Sequence, residues 1–347
     1  MSDPEGINRK QFLASLAKGA LGLAAAGLAG PGRALAAGAR PESTPTLAPL
    51  PYALVQTGKL DPVMDRPLGI AIGPGDLLHC AGAAGVKVLD AGGRPLRTLA
   101  TAGPACCVAV DSLGNVYAAG RTRVEKFNAA GERTLAWGER GDGPGQLRFV
   151  TALAANERFV YVADSGARKI HRFAADGDYV DEIAGYAIPA GNPCCAPLAG
   201  PAAGDQAGGA AEKGFVIPSG YFDCALDARG FLHVGHTGLH RVERYDPNHA
   251  LVGWWGRFGA AREDFCGCCN PTNLALFPDG RIATSEKGVP RLKVYDAAGT
   301  LLAYLGEAAF PGNTAGLDLA IDSSGRIALL EPIRGEVRFY ELRPSRA

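Results

Sequence analysis

The sequence predicts an all-β domain built from six copies of one four-stranded antiparallel unit, closed into a ring. Three observations carry that prediction. Short apolar runs alternate with the two-residue period of a half-buried strand, as in NLALF and RIATS between Phe265 and Gly299. Turn residues such as Pro278-Asp279-Gly280 and Asp296-Ala297-Ala298-Gly299 punctuate those runs. The same pattern then returns at a period of roughly 45 residues, the size of a propeller blade.

Taken in order, the chain opens on a segment that reads as an export signal over 1–36. Arg9 and Lys10 precede a weakly apolar run, Gly19 to Gly30, and Ala34-Leu35-Ala36 supplies small residues for cleavage. The run is too short to cross a bilayer, so no transmembrane segment is expected in the mature chain. A Pro/Thr/Ala linker follows over 37–50, and the repeats occupy 51–344.

First strands are expected at Leu68–Gly73, Cys107–Asp111, Ala152–Asn156, Cys224–Ala228, Leu274–Pro278 and Leu319–Ser323. Each is followed by a second strand (DLLHCAG, NVYAAG, FVYVADS, FLHVGH, RIATSE, RIALLE) and a third (GVKVLD, RVEKFN, KIHRFA, RVERYD, RLKVYD, EVRFYE). The long step between the third and fourth units holds a cysteine-containing insertion at 186–214. The sixth unit stops after its third strand, Glu336–Glu341, whereas Ala53–Leu60 is a strand with nothing before it. Pairing the two would complete the last sheet and leave no open edge, giving a six-bladed β-propeller.

Two stretches carry a family likeness. Blade two, CVAVDSLGNVYAAGRTRVEKFNAAGERTLAWGERGDGPGQLRF, and VYVADSGARKIHRF in blade three resemble the NHL repeat family. The resemblance spans about 51–344 and implies NHL-type blades; it implies little about activity, because one scaffold hosts many functions. Asn8 to Leu13 resembles the twin-arginine translocation box, with Lys10 in place of the second arginine. General secretory export is the alternative, and either route implies a periplasmic or other extracytoplasmic location.

Composition narrows the function classes. With 35 basic and 35 acidic side chains, the chain lacks the electrostatic footprint of a nucleic-acid binder. A hydrophobic content of 47% suffices for a core, and 48 glycines with 24 prolines suit many turns. A monomer with a protein partner is expected.

In a four-stranded meander the loops after the second and fourth strands share one face, here the top. All nine cysteines map to it. Candidate metal ligands are Cys106, Cys107, Cys194, Cys195, Cys224, Cys266, Cys268 and Cys269, with Cys80, His236, Glu286 and Asp164 as further top-face residues. Soft thiolates suit a bound metal or an iron–sulfur cluster, which favours a redox or electron-transfer role. Disulfides are the competing use in an exported protein, which would make the chain a non-catalytic interaction scaffold with stapled loops. Adjacent cysteines rarely bond each other, so the three Cys-Cys pairs would seek separate partners. A thiol redox function is the third use.

Other polar residues have plainer roles beside these. Asp164, Glu286 and Glu331 are expected to cap the loops after their own second strands. His236 and His240 are the better ligand candidates among the histidines and read equally as satisfied loop histidines; His79 and His233 read as packing residues, and His171 and His249 as surface residues. A resemblance to gluconolactonase propellers would imply a metal set drawn from Asn273, Glu286, Glu331 and Asp164, hence a lactonase-like hydrolase. No nucleophile elbow and no phosphate-binding glycine loop is present.

Overall fold

The computed structural model describes residues 48–345 apart from 186, 189–211, 312, 313 and 315. The expected signal segment and Cys194 and Cys195 lie outside the described residues. Six four-stranded antiparallel sheets follow one another along the chain. Blade one is Gly69–Gly73, Leu77–Gly82, Gly85–Leu89 and Pro95–Leu99; blade two is Cys107–Val110, Val116–Ala119, Val124–Phe127 and Arg133–Trp137. Blade three is Val150–Ala155, Phe159–Asp164, Lys169–Ala174 and Tyr179–Ile183; blade four is Asp223–Leu226, Leu232–His236, Arg241–Tyr245 and Leu251–Trp255. Blade five is Asn273–Leu276, Ile282–Glu286, Arg291–Tyr295 and Leu301–Leu305. Blade six takes Asp318–Ile321, Ile327–Glu331 and Glu336–Pro344 from the end of the chain and Tyr52–Leu60 from its beginning.

The closing pair is antiparallel from Tyr52 opposite Pro344 to Leu60 opposite Val337, with one bulge between Gln56 and Gly58. A ladder of backbone hydrogen bonds therefore joins the two ends of the ring, and no sheet edge is left at the seam. Between blades three and four, Ala187–Ile188 pairs with Glu212–Lys213 as a short antiparallel ribbon at the base of the insertion.

Local chemistry explains the blades. On the bottom face an Asp or Asn side chain closes most of the hairpins, Asn128 and Asn156 among them. Asp111 Oδ1 accepts the N–H groups of Leu113 and Asn115 at 3.0 and 2.9 Å, and Gly114 supplies the left-handed φ of 81°. Asp296 repeats the device with Ala298 and Thr300 around Gly299. Apolar residues then pack between neighbouring sheets, as where Ala283, Leu292 and Val294 of blade five meet Leu319, Ile327 and Leu329 of blade six.

The first strand of each blade neighbours those of the blades before and after it, which closes an inner ring around a channel. Space is tight there, so small residues dominate: Ala109, Ala154, Ala275 and Ala320 are buried. At Gly69 a Cβ would lie 2.8 Å from the Cα of Cys107, so only glycine fits between blades one and two.

One joint recurs on the top face. Leu147, Phe215 and Phe265, each fully buried, plug the entries to blades three, four and five. The next residue in each case gives its N–H to the polar side chain that ends the second strand. Arg148 donates to Asp164 Oδ2 at 2.6 Å, Val216 to His236 Nε2 at 2.8 Å and Cys266 to Glu286 Oε2 at 3.1 Å. A buried N–H in a loop needs an acceptor, and these side chains supply it.

Candidate functional site at the channel mouth

The residue two places before Ala71, Ala109, Ala154, Ala225, Ala275 and Ala320, the alanines central to the six inner strands, lies at or near the start of its strand on the mouth side. Around the ring that column reads Gly69, Cys107, Ala152 with the bulged Thr151 beside it, Asp223, Asn273 and Asp318. A cavity of about 230 Å3 runs between the inner strands. Above it lies a basin of about 350 Å3, lined by Cys106, Arg121, Phe149, Tyr221, Asn273 and Asp318 among others.

The polar members of this column tie blade to blade. Thr151 Oγ1 donates to the carbonyl of Phe222 at 2.6 Å. Asp223 accepts from Cys224 N and Leu274 N, both at 2.8 Å. Asn273 Nδ2 donates to Asp318 Oδ1 at 3.0 Å, and Asp318 also accepts from Leu319 N at 2.8 Å and Ile70 N at 2.9 Å. Neither aspartate has a Lys or Arg partner among the described residues; their donors are neutral N–H groups. Burial is therefore the main influence on both. It raises Asp318 to about 6, and it raises Asp223 well above the usual carboxylate range, with the Asp318 charge adding to the effect. Two carboxyls that are costly to ionise share one ring mouth.

The described cysteines fall into groups. Cys106, Cys107 and Cys224 belong to the mouth and channel. Burial pushes all three thiols up, most strongly Cys107 and Cys224. Cys80 is packed in the core of blade one and raised to about 12 by burial. Cys266, Cys268 and Cys269 lie in the loop entering blade five and line neither cavity. Among the described residues, no three His, Cys, Asp or Glu side chains come together in an arrangement that would hold a metal ion. A four-thiolate cluster does not fit the described residues.

The further top-face residues are committed to structure. Asp164 accepts from Arg148, Phe149 and Ala167, the last in its own loop. Glu331 caps its loop through Arg334 N at 2.7 Å. Glu286 departs from the expected capping role: it meets Lys293 Nζ at 2.5 Å and holds the cysteine loop through Cys266. His236 accepts at Nε2, so Nδ1 carries the proton donated to Glu243 at 2.8 Å, and both ring nitrogens are engaged. His240 Nε2 donates to the carbonyl of Gly267 at 2.7 Å. The lactonase-like set is thus dispersed, with only Asn273 at the mouth.

Two histidine expectations need correction. His171 is buried against the rings of Phe173 and Tyr179, and the side chain of His249 is only 13% exposed beside Tyr161. Neighbouring blades cover both faces of the third strand that carries His171, and the turn that carries His249 folds against Tyr161 of blade three. Asp223 and Asp318 were not among the sequence candidates. Their signal was available as the column two residues before the repeat alanines.

The fold and site define the chain as a β-propeller of six four-stranded blades. No family model and no curated protein matches it. Solved structures do. The WD40 β-propeller domain of Doa1 aligns with a TM-score of 0.50 at 12% identity, covering 79% of this chain and 78% of that one. A structure of the mitotic checkpoint complex gives 0.53 at 11%, covering 93% and 99%, and streptogramin B lyase gives 0.50 at 11%, covering 84% and 98%. At such identities the likeness shows the fold alone. Among the described residues no helix is long and apolar enough to cross a membrane.

Proposed function

We propose that the chain is an exported, NHL-type binding propeller that docks a partner protein on its top face and takes a basic side chain of that partner into the channel mouth. The observation that carries this reading is the pair of buried Asp223 and half-buried Asp318, which has N–H donors but no cation among the described residues. A Lys or Arg head group would supply the missing charge. Leu68 and Phe149, 47% and 37% exposed at the rim, would cover the aliphatic stem of that side chain. Export is supported by the leader-like 1–36 segment, and NHL-type blades by the repeat pattern.

A metal or iron–sulfur centre at the mouth would draw on Cys106, Cys107 and Cys224. Among the described residues these sulfurs do not gather with other His, Cys, Asp or Glu groups into a set that would hold a metal ion, so the carboxyl pair carries the reading instead. The test is fluorescence anisotropy with short labelled peptides carrying one Arg or Lys, compared with the same peptide carrying Ala. Saturable binding of the basic peptides alone is expected, weakened by about tenfold in Asp318→Asn. Equal binding of all peptides, or indifference to both Asp318→Asn and Asp223→Asn, overturns the reading.

A further inference from the structure

The loop entering blade five carries a second site, independent of the mouth. Its backbone is held from several sides. Cys266 N–H is fixed by Glu286, and the Gly267 carbonyl by His240. Asn270 donates to the carbonyls of Cys266 and Lys287 and accepts the N–H of Lys287 at 3.0 Å. On this frame the sulfurs of Cys268 and Cys269, both free thiols, come within 2.9 Å of each other.

The two thiols have different surroundings, and the contact between their sulfurs raises Cys268 while it lowers Cys269. Cys268 is exposed, whereas Cys269 is 1% exposed. The buried sulfur has the Ser219 and Lys287 side chains against it, and Lys287 Nζ is itself held by Ser219 Oγ at 2.9 Å and stands 4.4 Å from the Tyr221 ring centroid. Burial alone would raise the Cys269 thiol; Cys268, Ser219 and Lys287 outweigh it and lower the group below its ordinary value. Cys269 is the one described cysteine that is shifted downward. A bond between sequence neighbours closes too short a loop to staple the chain, and hydrogen bonds already fix this loop, so a structural disulfide has nothing to add here.

The geometry points to Cys268–Cys269 as a thiol–disulfide exchange site that reacts with small disulfides of the glutathione class. Cys268 attacks one sulfur of the disulfide, forming a mixed disulfide and releasing one thiolate. Cys269 then attacks Cys268 Sγ, forming the Cys268–Cys269 bond and releasing the second thiolate. The two protons lost by the cysteines end on the two departing sulfurs, so dithiol plus disulfide gives vicinal disulfide plus two thiols. Lys287 and Ser219 stabilise the attacking sulfur of the second step.

The experiment incubates the reduced protein with oxidised glutathione and follows intact mass and peptide mass. Wild type is expected to lose two hydrogens within the peptide containing Cys268 and Cys269, with no glutathione retained. Cys269→Ser is expected to trap glutathione on Cys268. Lys287→Met is expected to prolong the mixed disulfide by about tenfold, an outcome independent of how well Cys269→Ser folds. Stable glutathione on Cys268 of wild type, a pair that stays reduced, or loss of the two hydrogens at another cysteine pair overturns the assignment.

Discussion

Blade four and the channel mouth both bury carboxylates, and they neutralise them differently. In blade four, Glu243 meets His236 Nδ1 at 2.8 Å, Arg241 at 2.7 and 2.9 Å, and the Tyr245 hydroxyl at 2.6 Å. Burial pushes Glu243 up, but His236, Arg241 and Tyr245 outweigh it and hold the group below its ordinary value. Blade five gives Glu286 a fully buried lysine, Lys293. At the mouth, Asp223 and Asp318 receive only neutral N–H donors and are shifted upward. A compensated acid belongs to the frame, because its charge is already satisfied. An uncompensated pair at an opening marks a place where a ligand's charge is wanted.

The comparison can be broken at four points, beginning with the ring that supports both clusters. Deleting 51–60 removes the closing strand of blade six and is expected to lower the melting temperature drastically, whereas deleting 37–47 leaves the closing ladder intact. Equal melting of the two truncations by circular dichroism would rule out closure as the source of ring stability. Next, Lys293→Met removes the nearer cation of Glu286, leaving Arg291 at 3.8 Å, and is expected to cost about 3 kcal/mol in guanidinium denaturation. A loss under about 1 kcal/mol would move Glu286 into the same class as Asp318.

The third point is pH. Asp318 is raised from 3.8 to about 6, so between those values the folded chain binds more protons than the unfolded one. Stability therefore falls as pH rises through that window, by about 3 kcal/mol at ~1.4 kcal/mol per unit. Asp318→Asn is expected to reduce this dependence in denaturation curves collected from pH 4 to pH 7, the part carried by Asp223 remaining. An unchanged slope in the variant would show that the mouth carboxyls are not the uncompensated groups. The smallest effect is expected from Tyr245→Phe, which removes one donor to Glu243 and leaves Arg241 and His236 in place. It should cost about 2 kcal/mol, and a negligible loss would mean that Arg241 and His236 satisfy Glu243 alone.

The histidines and cysteines show where reading the chain failed. His236 is a satisfied histidine rather than a ligand, locked between Val216 N–H from the preceding loop and Glu243 of the neighbouring strand. Glu286 was expected to cap its own loop, yet Lys293 from the next strand claims it. The Cys268–Cys269 contact depends on Asn270 folding the loop back over Lys287, which no spacing announces. Cys107 and Cys224, by contrast, sit at the channel as their place in the repeat implied.

By itself the sequence determined the number of blades, their strand order, the bottom-face turns and the closure by Tyr52–Leu60. These depend on alternation within a strand and on Asp or Gly a few residues away, interactions that are local and repeated. The tertiary structure decided which buried polar groups received a partner. Glu243 and Glu286 lie where third-strand cations reach them, while Asp223 and Asp318 lie where only inner strands converge and N–H groups of the next blade are the nearest donors. Distance across the ring, which no local pattern encodes, separates a structural carboxylate from a candidate binding one.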